Sequence, residues 1–290
     1  MMRHCYFKSP VFWREHRTDK FRGVWIIQDQ ARRPDLCIYY AHGGGFSMGS
    51  SYFYLEFLMS LLDLLRKAGY ENPSIFALDY TLVPDGSFPK QLQEAVAGYE
   101  HVLSTVGDAG RVCVSGDSAG ATIILSLLLH LTEPPHNVRL TGRVGGRQLD
   151  KPALAVLVSP WVTLVSDRHR NTKSDYLDRG VLHTYAQEYA GNYTSLDDPL
   201  VSPGRCRDVR WWDQACPSHG LYLEYGTEEV FAPEIEELLR FWEGVGIEVT
   251  SRRQQGGIHA WSVASLFLSN DSTRRLDGLK NIVRHIRSRM

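Results

Sequence analysis

The sequence is poor in the features that mark disulfide-rich, metal-bound and membrane-spanning proteins. It has five cysteines, an odd number, and no two of them are spaced as Cys-x-x-Cys. Neither a disulfide framework nor a metal site is therefore expected, and a reducing, cytoplasmic location is the default. The longest apolar run, residues 121–131, is shorter than the roughly 20 residues that cross a bilayer, so we expect no membrane insertion. The first residues also lack an apolar stretch long enough for a secretory signal peptide. A membrane anchor in residues preceding this sequence would change the expected location.

An excess of charge of one sign is also lacking. The 32 Lys and Arg residues nearly balance the 33 Asp and Glu residues, so no global positive field favours nucleic acid as a partner. The composition is that of a folded protein, with 43% hydrophobic residues. A chain of 290 residues can bury a large core, and we expect one domain over residues 1–290, as a monomer or homodimer.

Short apolar runs alternate with longer segments of helical character along the chain. The predicted strands cover residues 24–28, 36–41, 74–79, 111–115, 153–158, 220–224 and 247–252. The predicted helices cover residues 53–68, 89–106, 119–131, 233–245 and 273–289. Near-continuous apolar strands are typical of parallel sheets covered on both faces. The predicted fold class is therefore α/β, with a mostly parallel central sheet flanked by helices.

Two stretches interrupt this alternation, at about residues 1–22 and 167–213. The second is polar and rich in Tyr and Trp, with helical character only around residues 180–193. Long insertions of this kind often form lids, so both stretches are predicted to build a small helical cap. Tyr176 and Trp211 either line a substrate pocket under this cap or pack the cap against the sheet.

A nucleophile candidate follows the predicted strand at residues 111–115. The pattern is Gly-Asp-Ser-Ala-Gly over residues 116–120, and an apolar helix begins at once. In this strand–turn–helix setting the pattern predicts a serine nucleophile, Ser118, raised above the sheet on a tight turn. The N–H of Ala119, at the start of the helix, would face a developing oxyanion.

A second glycine-rich segment follows the predicted strand at residues 36–41. It reads His-Gly-Gly-Gly-Phe over residues 42–46. Loops of this type supply the other half of an oxyanion hole, so Gly44 and Gly45 are predicted donors beside Ala119. A phosphate-binding loop is the alternative, but the Lys-Ser/Thr pair that a P-loop requires does not follow.

The general base must be a histidine that follows Ser118 in the sequence. The candidates are His130, His136, His169, His183, His219, His259 and His285. Only His259 comes shortly after a late predicted strand, in a loop opened by two glycines, where the base of such a fold belongs. His130 and His285 fall inside predicted helices and are expected to be structural.

The acid that orients the base should follow the preceding strand, at residues 220–224. Residues 226–229 read Gly-Thr-Glu-Glu, so the acid is a glutamate, either Glu228 or Glu229. A glutamate can fill this role because the acid has only to hold the imidazole tautomer and stabilise the imidazolium.

Taken together, the motifs resemble the hormone-sensitive-lipase family of α/β hydrolases. Beside the two glycine motifs, the matching blocks are residues 79–84 (Asp-Tyr-Thr-Leu-Val-Pro) and residues 159–161 (Ser-Pro-Trp). The resemblance implies an α/β-hydrolase fold, ester hydrolysis without metal or organic cofactor, and a cap built from the N-terminus and the insertion after Trp161. The sequence departs from the family in having Glu where the family's acid is Asp; the resemblance places Glu229 at that position, with Glu228 as the alternative. It also has His259-Ala-Trp261 in place of His-x-Phe. The glycine motif also begins early, at His42, so a short N-terminal cap is expected.

The expected activity is that of a serine carboxylesterase or lipase-like hydrolase. A cap over an apolar cleft suggests short- to medium-chain acyl or acetyl esters of lipophilic alcohols as small-molecule substrates. An acyltransferase, a lactonase or an amidase would use the same catalytic groups and stays an alternative. A non-catalytic ligand-binding protein of the same fold is a further alternative, which the presence of His259 disfavours.

Overall fold

A computed structural model of the chain describes residues 12–132, 149–192 and 194–290. Residues 1–11, which belong to the predicted cap, and the candidate histidine His136 lie outside the described residues. Among the helices of the described residues, none combines the length and apolar character that a membrane span requires.

The centre of the described structure is an eight-stranded sheet with the order β1-β2-β4-β3-β5-β6-β7-β8. The strands are β1 Phe12–Arg17, β2 Arg22–Ile27, β3 Leu36–Ala41, β4 Pro73–Leu78, β5 Val112–Asp117, β6 Leu154–Val158, β7 Leu221–Gly226 and β8 Val249–Gln254. The pairs β1–β2 and β2–β4 are antiparallel, and the remaining neighbours are parallel. The predicted mostly parallel sheet is confirmed, and each of the predicted strands is present.

Helices cover both faces of this sheet. They are α1 Leu55–Lys67, α2 Lys90–Val106, α3 Ser118–His130, α4 Arg179–Ala190, α5 Val209–Ala215, α6 Ala232–Gly244, α7 Trp261–Leu268, α8 Ser272–Arg275 and α9 Asp277–Arg289. The helices α5 and α7 were not predicted. Both are short, at 7 and 8 residues, which gives the helical period little length in which to show.

The strands alternate their side chains between two apolar layers. In β3, Tyr39 packs in the layer that includes α2 and α3, whereas Tyr40 packs in the layer that includes α1 and α9. Every residue of β3 is buried, which explains why this strand reads as a continuous apolar run. In α9 the buried residues Leu279, Ile282, Val283 and Ile286 follow the helical period and face the sheet.

The prediction of an N-terminal cap is wrong for residues 12–17, which form the edge strand β1. The strand pairs with β2 from Phe12 opposite Ile27 to Arg17 opposite Arg22. Its residues are mostly exposed, so the sequence lacks the alternation of apolar and polar side chains that identifies a half-buried strand. Charged side chains are typical of strands at a sheet edge.

The carboxyl ends of β3, β5, β7 and β8 meet at one edge of the sheet. The glycine-rich loop follows β3, Ser118 follows β5, and the loop with Glu228 and Glu229 follows β7. His259 lies between β8 and α7. Because the four strands are parallel and adjacent or nearly so, the predicted site residues are brought to this single edge.

Candidate active site

The nucleophile candidate Ser118 lies at the junction between β5 and α3. Its φ is +52°, a left-handed value that few residues with a side chain adopt. Gly120 lets this turn approach β3, since a Cβ at Gly120 would lie 2.1 Å from the carbonyl oxygen of Ala41 and 2.4 Å from that of His42. The tight turn therefore holds the Ser118 hydroxyl at the first residue of α3, as the glycine pattern predicts.

Two positions of the loop after β3 require glycine. Gly44 has a φ of +112°, and a Cβ there would lie 2.1 Å from the Met48 carbonyl oxygen. Gly45 has a φ of +60°, and a Cβ there would lie 2.8 Å from the ring of Tyr185. Within the described part of the chain, neither N–H group donates to a backbone carbonyl. Both groups are thus available to a bound oxygen atom.

Asp117 joins the glycine-rich loop to the turn that carries the nucleophile candidate. Its carboxylate accepts hydrogen bonds from Tyr40 Oη at 2.6 Å, from Tyr54 Oη at 2.7 Å and from the Gly43 N–H at 2.8 Å. Burial raises the pKa of Asp117 to about 6, while the three donors act in the opposite direction. The loop and the nucleophile turn therefore share one buried acceptor, and the position of one constrains that of the other.

The residues of the Asp79–Pro84 block brace the same loop from behind. Tyr80 stacks on the ring of His42, with ring centroids 4.5 Å apart, and donates a hydrogen bond to the His42 carbonyl oxygen at 2.8 Å. Asp79 accepts a hydrogen bond from the Ser51 N–H at 2.7 Å. These contacts give the block a structural role, since its residues support the glycine-rich loop from behind.

His259 is buried in the loop between β8 and α7. Its side chain is 3% exposed, and the ring of Phe231 packs edge-on against the imidazole, with ring centroids 5.1 Å apart. Burial lowers the pKa of His259 to about 3, so the imidazole is neutral near pH 7. A neutral imidazole can accept a proton, which is the requirement for a general base.

Glu229 lies behind His259, with its Oε2 atom 3.9 Å from the imidazole Nδ1. The same oxygen accepts hydrogen bonds from Ser159 Oγ at 2.6 Å and from the Gly226 N–H at 3.2 Å. Burial raises the pKa of Glu229 to about 8, against the effect of these two donors. The carboxyl group of Glu229 thus faces the Nδ1 side of the imidazole.

Glu228 differs from its neighbour in the contacts that it makes. It is half-buried, its N–H donates to the Gly257 carbonyl oxygen at 2.9 Å, and its own carbonyl oxygen accepts from Thr172 Oγ1 at 2.6 Å. Glu228 thus makes these hydrogen bonds through its backbone, whereas Glu229 directs its carboxylate toward His259.

Sequence reasoning missed the role of Ser159 in this site. Its hydroxyl donates to Glu229 Oε2 and accepts a hydrogen bond from the Ala260 N–H at 2.9 Å, so it connects the acid to the residue after His259. The Ser-Pro-Trp block at residues 159–161 was the available signal, but it does not say which atoms the serine contacts.

Asp175 is a second residue that the sequence did not point to. Its carboxylate accepts hydrogen bonds from the His259 N–H at 3.0 Å and from the Val230 N–H at 2.9 Å. Because these partners lie 84 and 55 positions away along the chain, no local pattern could reveal the contacts.

A cavity of 720 Å³ contains both Ser118 and His259 in its wall. Its other lining residues are Gly43, Gly44, Gly45, Met48, Gly49, Phe53, Tyr54, Asp117, Tyr176, Leu177, Leu182, Tyr185, Ala260, Val263, Ala264, Phe267 and Leu268. Phe53 and Leu268 are 64% and 68% exposed, so the wall continues as an apolar surface outside the cavity. Such a wall suits an apolar ligand with few polar groups.

The two predicted pocket residues have different positions. Tyr176 lines the cavity, and its hydroxyl donates to the His259 carbonyl oxygen at 3.3 Å. Trp211 does not line this cavity: it is 1% exposed in α5, and its indole N–H donates to the Leu129 carbonyl oxygen at 3.0 Å. The alternative prediction, packing, describes Trp211, which lies with Trp212 in the apolar layer that includes α3.

The chain matches the sequence model of a family described by the alpha/beta hydrolase fold, over residues 38–263. It is 28% identical to an acetyl-hydrolase of Streptomyces hygroscopicus over 80% of this chain and 70% of that protein. It is 27% identical to the putative steryl acetyl hydrolase mug81 of Schizosaccharomyces pombe over 73% of this chain and 55% of that protein.

Among solved structures, the fold is similar to that of EstE7, a homologue of hormone-sensitive lipase from a metagenome library. The TM-score is 0.75, the sequences are 22% identical, and the match covers 98% of this chain and 90% of that one. The chain thus belongs to the α/β-hydrolase-fold family. Its predicted resemblance to the hormone-sensitive-lipase group is confirmed, and the predicted enzyme class, a carboxylesterase or lipase-like hydrolase, agrees with the names of these relatives.

Proposed function

We propose that the protein is a serine carboxylic-ester hydrolase with Ser118 as nucleophile, His259 as general base and Glu229 as the orienting acid. The observation that carries the proposal is the shared cavity, whose wall contains Ser118, His259 and the glycine-rich loop, with the Glu229 carboxylate 3.9 Å from the imidazole. The names of the curated relatives, an acetyl-hydrolase and a putative steryl acetyl hydrolase, add independent support.

In the acylation step, His259 removes the hydroxyl proton of Ser118 as the oxygen attacks the ester carbonyl carbon. The carbonyl oxygen gains negative charge, which the N–H groups of Gly44, Gly45 and Ala119 stabilise. The protonated His259 is stabilised by the Glu229 carboxylate and gives its proton to the departing alkoxide. An alcohol leaves, and an ester bond joins the acyl group to Ser118.

In the deacylation step, His259 takes a proton from water, and the resulting hydroxide attacks the acyl carbon. The tetrahedral intermediate uses the same three N–H donors. When it collapses, the proton returns from His259 to Ser118, and the carboxylic acid is released. Both steps need a histidine that is neutral before reaction, which agrees with the lowered pKa of His259.

The substrate class that we propose is a short- to medium-chain ester of a lipophilic alcohol, with acetyl as the leading acyl group. Met48, Phe53, Phe267 and Leu268 line the cavity and are each more than 40% exposed, so they offer a wide apolar surface to a bulky alcohol. The names of the two curated relatives specify acetyl esters for those proteins, and in one of them a sterol.

Hydrolysis of p-nitrophenyl esters from acetate to palmitate tests the proposal. Ser118→Ala is compared with Ser126→Ala, a control that removes a buried serine hydroxyl from the same helix. We expect turnover that is highest for short chains, is retained by Ser126→Ala and falls by about 10³-fold or more in Ser118→Ala. Absence of turnover by the folded wild-type protein, or equal turnover in both variants, would overturn the proposal.

The same assay separates hydrolysis from its alternatives. An acyltransferase would release p-nitrophenol faster when a lipophilic alcohol is added and would form the new ester in place of free acid. A lactonase or amidase would prefer the corresponding cyclic ester or anilide. The cytoplasmic location and the monomeric or dimeric state stay predictions from the sequence.

A further inference from the structure

Residues 172–176 form a short segment that we call the clamp segment. It contacts the backbones of two loops, the one after β7 that carries Glu229 and the one after β8 that carries His259, and we call these the catalytic loops. Its central contact is the carboxylate of Asp175. One oxygen accepts a hydrogen bond from the Val230 N–H at 2.9 Å, and the other accepts from the His259 N–H at 3.0 Å. A single side chain thus connects the residue that follows Glu229 with the candidate base itself.

Two further hydrogen bonds extend the contact. Thr172 Oγ1 donates to the Glu228 carbonyl oxygen at 2.6 Å, and Tyr176 Oη donates to the His259 carbonyl oxygen at 3.3 Å. The segment is braced internally, since the Asp175 N–H donates to Thr172 Oγ1 at 3.1 Å. Each catalytic loop is therefore held by the clamp segment through one N–H and one carbonyl group.

We propose that the clamp segment, with Asp175 at its centre, positions Glu229 and His259 relative to each other in the ester hydrolase. This inference rests on the proposed function. A carboxylate suits the role because it has two acceptor oxygens and can satisfy two backbone donors at once, which an amide or a hydroxyl cannot do in the same geometry. Asp175 is a positioning residue, because its contacts are with the loop backbones and not with reacting atoms.

The clamp segment also connects the catalytic loops to the wall of the cavity. Tyr176 and the next residue, Leu177, both line the cavity. A substrate in the cavity would therefore contact Tyr176, the residue next to Asp175.

The test compares Asp175→Asn with Asp178→Asn. The first variant keeps the size of the side chain but places an amide N–H₂ against the N–H group of either Val230 or His259. The control neutralises a carboxylate in the same part of the chain that caps α4 through the Val181 N–H, a role that asparagine fills equally well. We expect Asp175→Asn to lower kcat by about 10- to 100-fold with little change in KM, and the control to retain wild-type kcat.

Residue-resolved hydrogen exchange provides a readout that does not depend on activity. The amides of Val230 and His259 should exchange about tenfold faster in Asp175→Asn, while the Gly256 amide, which donates to Thr227 Oγ1, keeps its wild-type rate. If the wild-type protein hydrolyses no ester, the proposed function fails and this exchange pattern alone decides whether the clamp exists.

Three results would overturn the clamp. They are unchanged exchange at Val230 and His259, a kcat of Asp175→Asn within twofold of wild type, and an equal loss of kcat in Asp178→Asn. Should Asp175→Asn fail to fold, Thr172→Val removes the hydrogen bond to Glu228 without changing side-chain size. The clamp then predicts a kcat lower by about threefold or more, and an unchanged kcat would contradict it.

Discussion

His259 and Glu229 face each other in the protein interior, with the imidazole Nδ1 3.9 Å from the carboxylate Oε2. Among the described residues, neither the Nδ1 atom of His259 nor the Oε1 atom of Glu229 has a hydrogen-bond partner. The Nδ1–Oε2 separation is too long for a hydrogen bond, and catalytic hydrogen bonds often tighten only in the complex with substrate. Proton transfer from Ser118 would put positive charge on the imidazole and draw the two groups together.

The choice between the two glutamates is tested by Glu229→Gln and Glu228→Gln. The first variant should lower kcat by about 10⁴-fold, because a neutral amide neither fixes the imidazole tautomer nor stabilises the imidazolium. The second should retain kcat near the wild-type value, since the recorded contacts of Glu228 use its backbone. Steady-state kinetics of ester hydrolysis measures both, and the reverse order of effects would assign the acid to Glu228.

The pH dependence of kcat/KM should follow the ionisation of Glu229. Burial raises the pKa of this carboxyl group to about 8, so the group is protonated, and ineffective as the orienting acid, below that pH. Burial lowers the pKa of His259 to about 3, so the imidazole is already neutral throughout the range from pH 5 to pH 8. We therefore expect kcat/KM to rise from pH 5 to about pH 8, measured against Ser118→Ala as background. A profile that is flat from pH 6 to pH 9 would contradict this assignment.

The turn at the nucleophile candidate depends on the absence of a side chain at Gly120. A methyl group there would lie 2.1 Å from the Ala41 carbonyl oxygen, so Gly120→Ala should lower the free energy of unfolding by about 3 kcal/mol or more. Gly244→Ala is the matched control, because a Cβ at the end of α6 meets nothing within 4 Å. It should leave stability unchanged or raise it by up to about 1 kcal/mol. Urea unfolding compares the two, and equal effects would be inconsistent with the close approach.

The sequence predicted the parts of the site that local motifs encode. The turn at Ser118 and the loop at Gly44 and Gly45 could be recognised because tight turns need glycine at fixed positions. The position of His259 followed from the order of elements in the fold. The strands β3, β4 and β6 were found because their buried residues form nearly uninterrupted apolar runs.

The remaining features depend on contacts between distant parts of the chain. The edge strand β1 is exposed and has no apolar pattern, and Trp211 proved to pack against α3 instead of lining the cavity. The side-chain hydrogen bonds that connect Ser159 and Asp175 to the loops at Glu229 and His259 join residues 55 to 101 positions apart, so only the folded chain brings these partners together.

The most direct test of the account is to identify the residue that becomes covalently modified. The wild-type protein is treated with diisopropyl fluorophosphate, which phosphorylates an activated serine with loss of fluoride, and the modified peptide is located by mass spectrometry. We expect a single modification on Ser118, loss of ester hydrolysis in proportion to labelling, and no labelling of Ser118→Ala. Labelling of a different serine together with loss of activity, or full activity in Ser118→Ala, would contradict it.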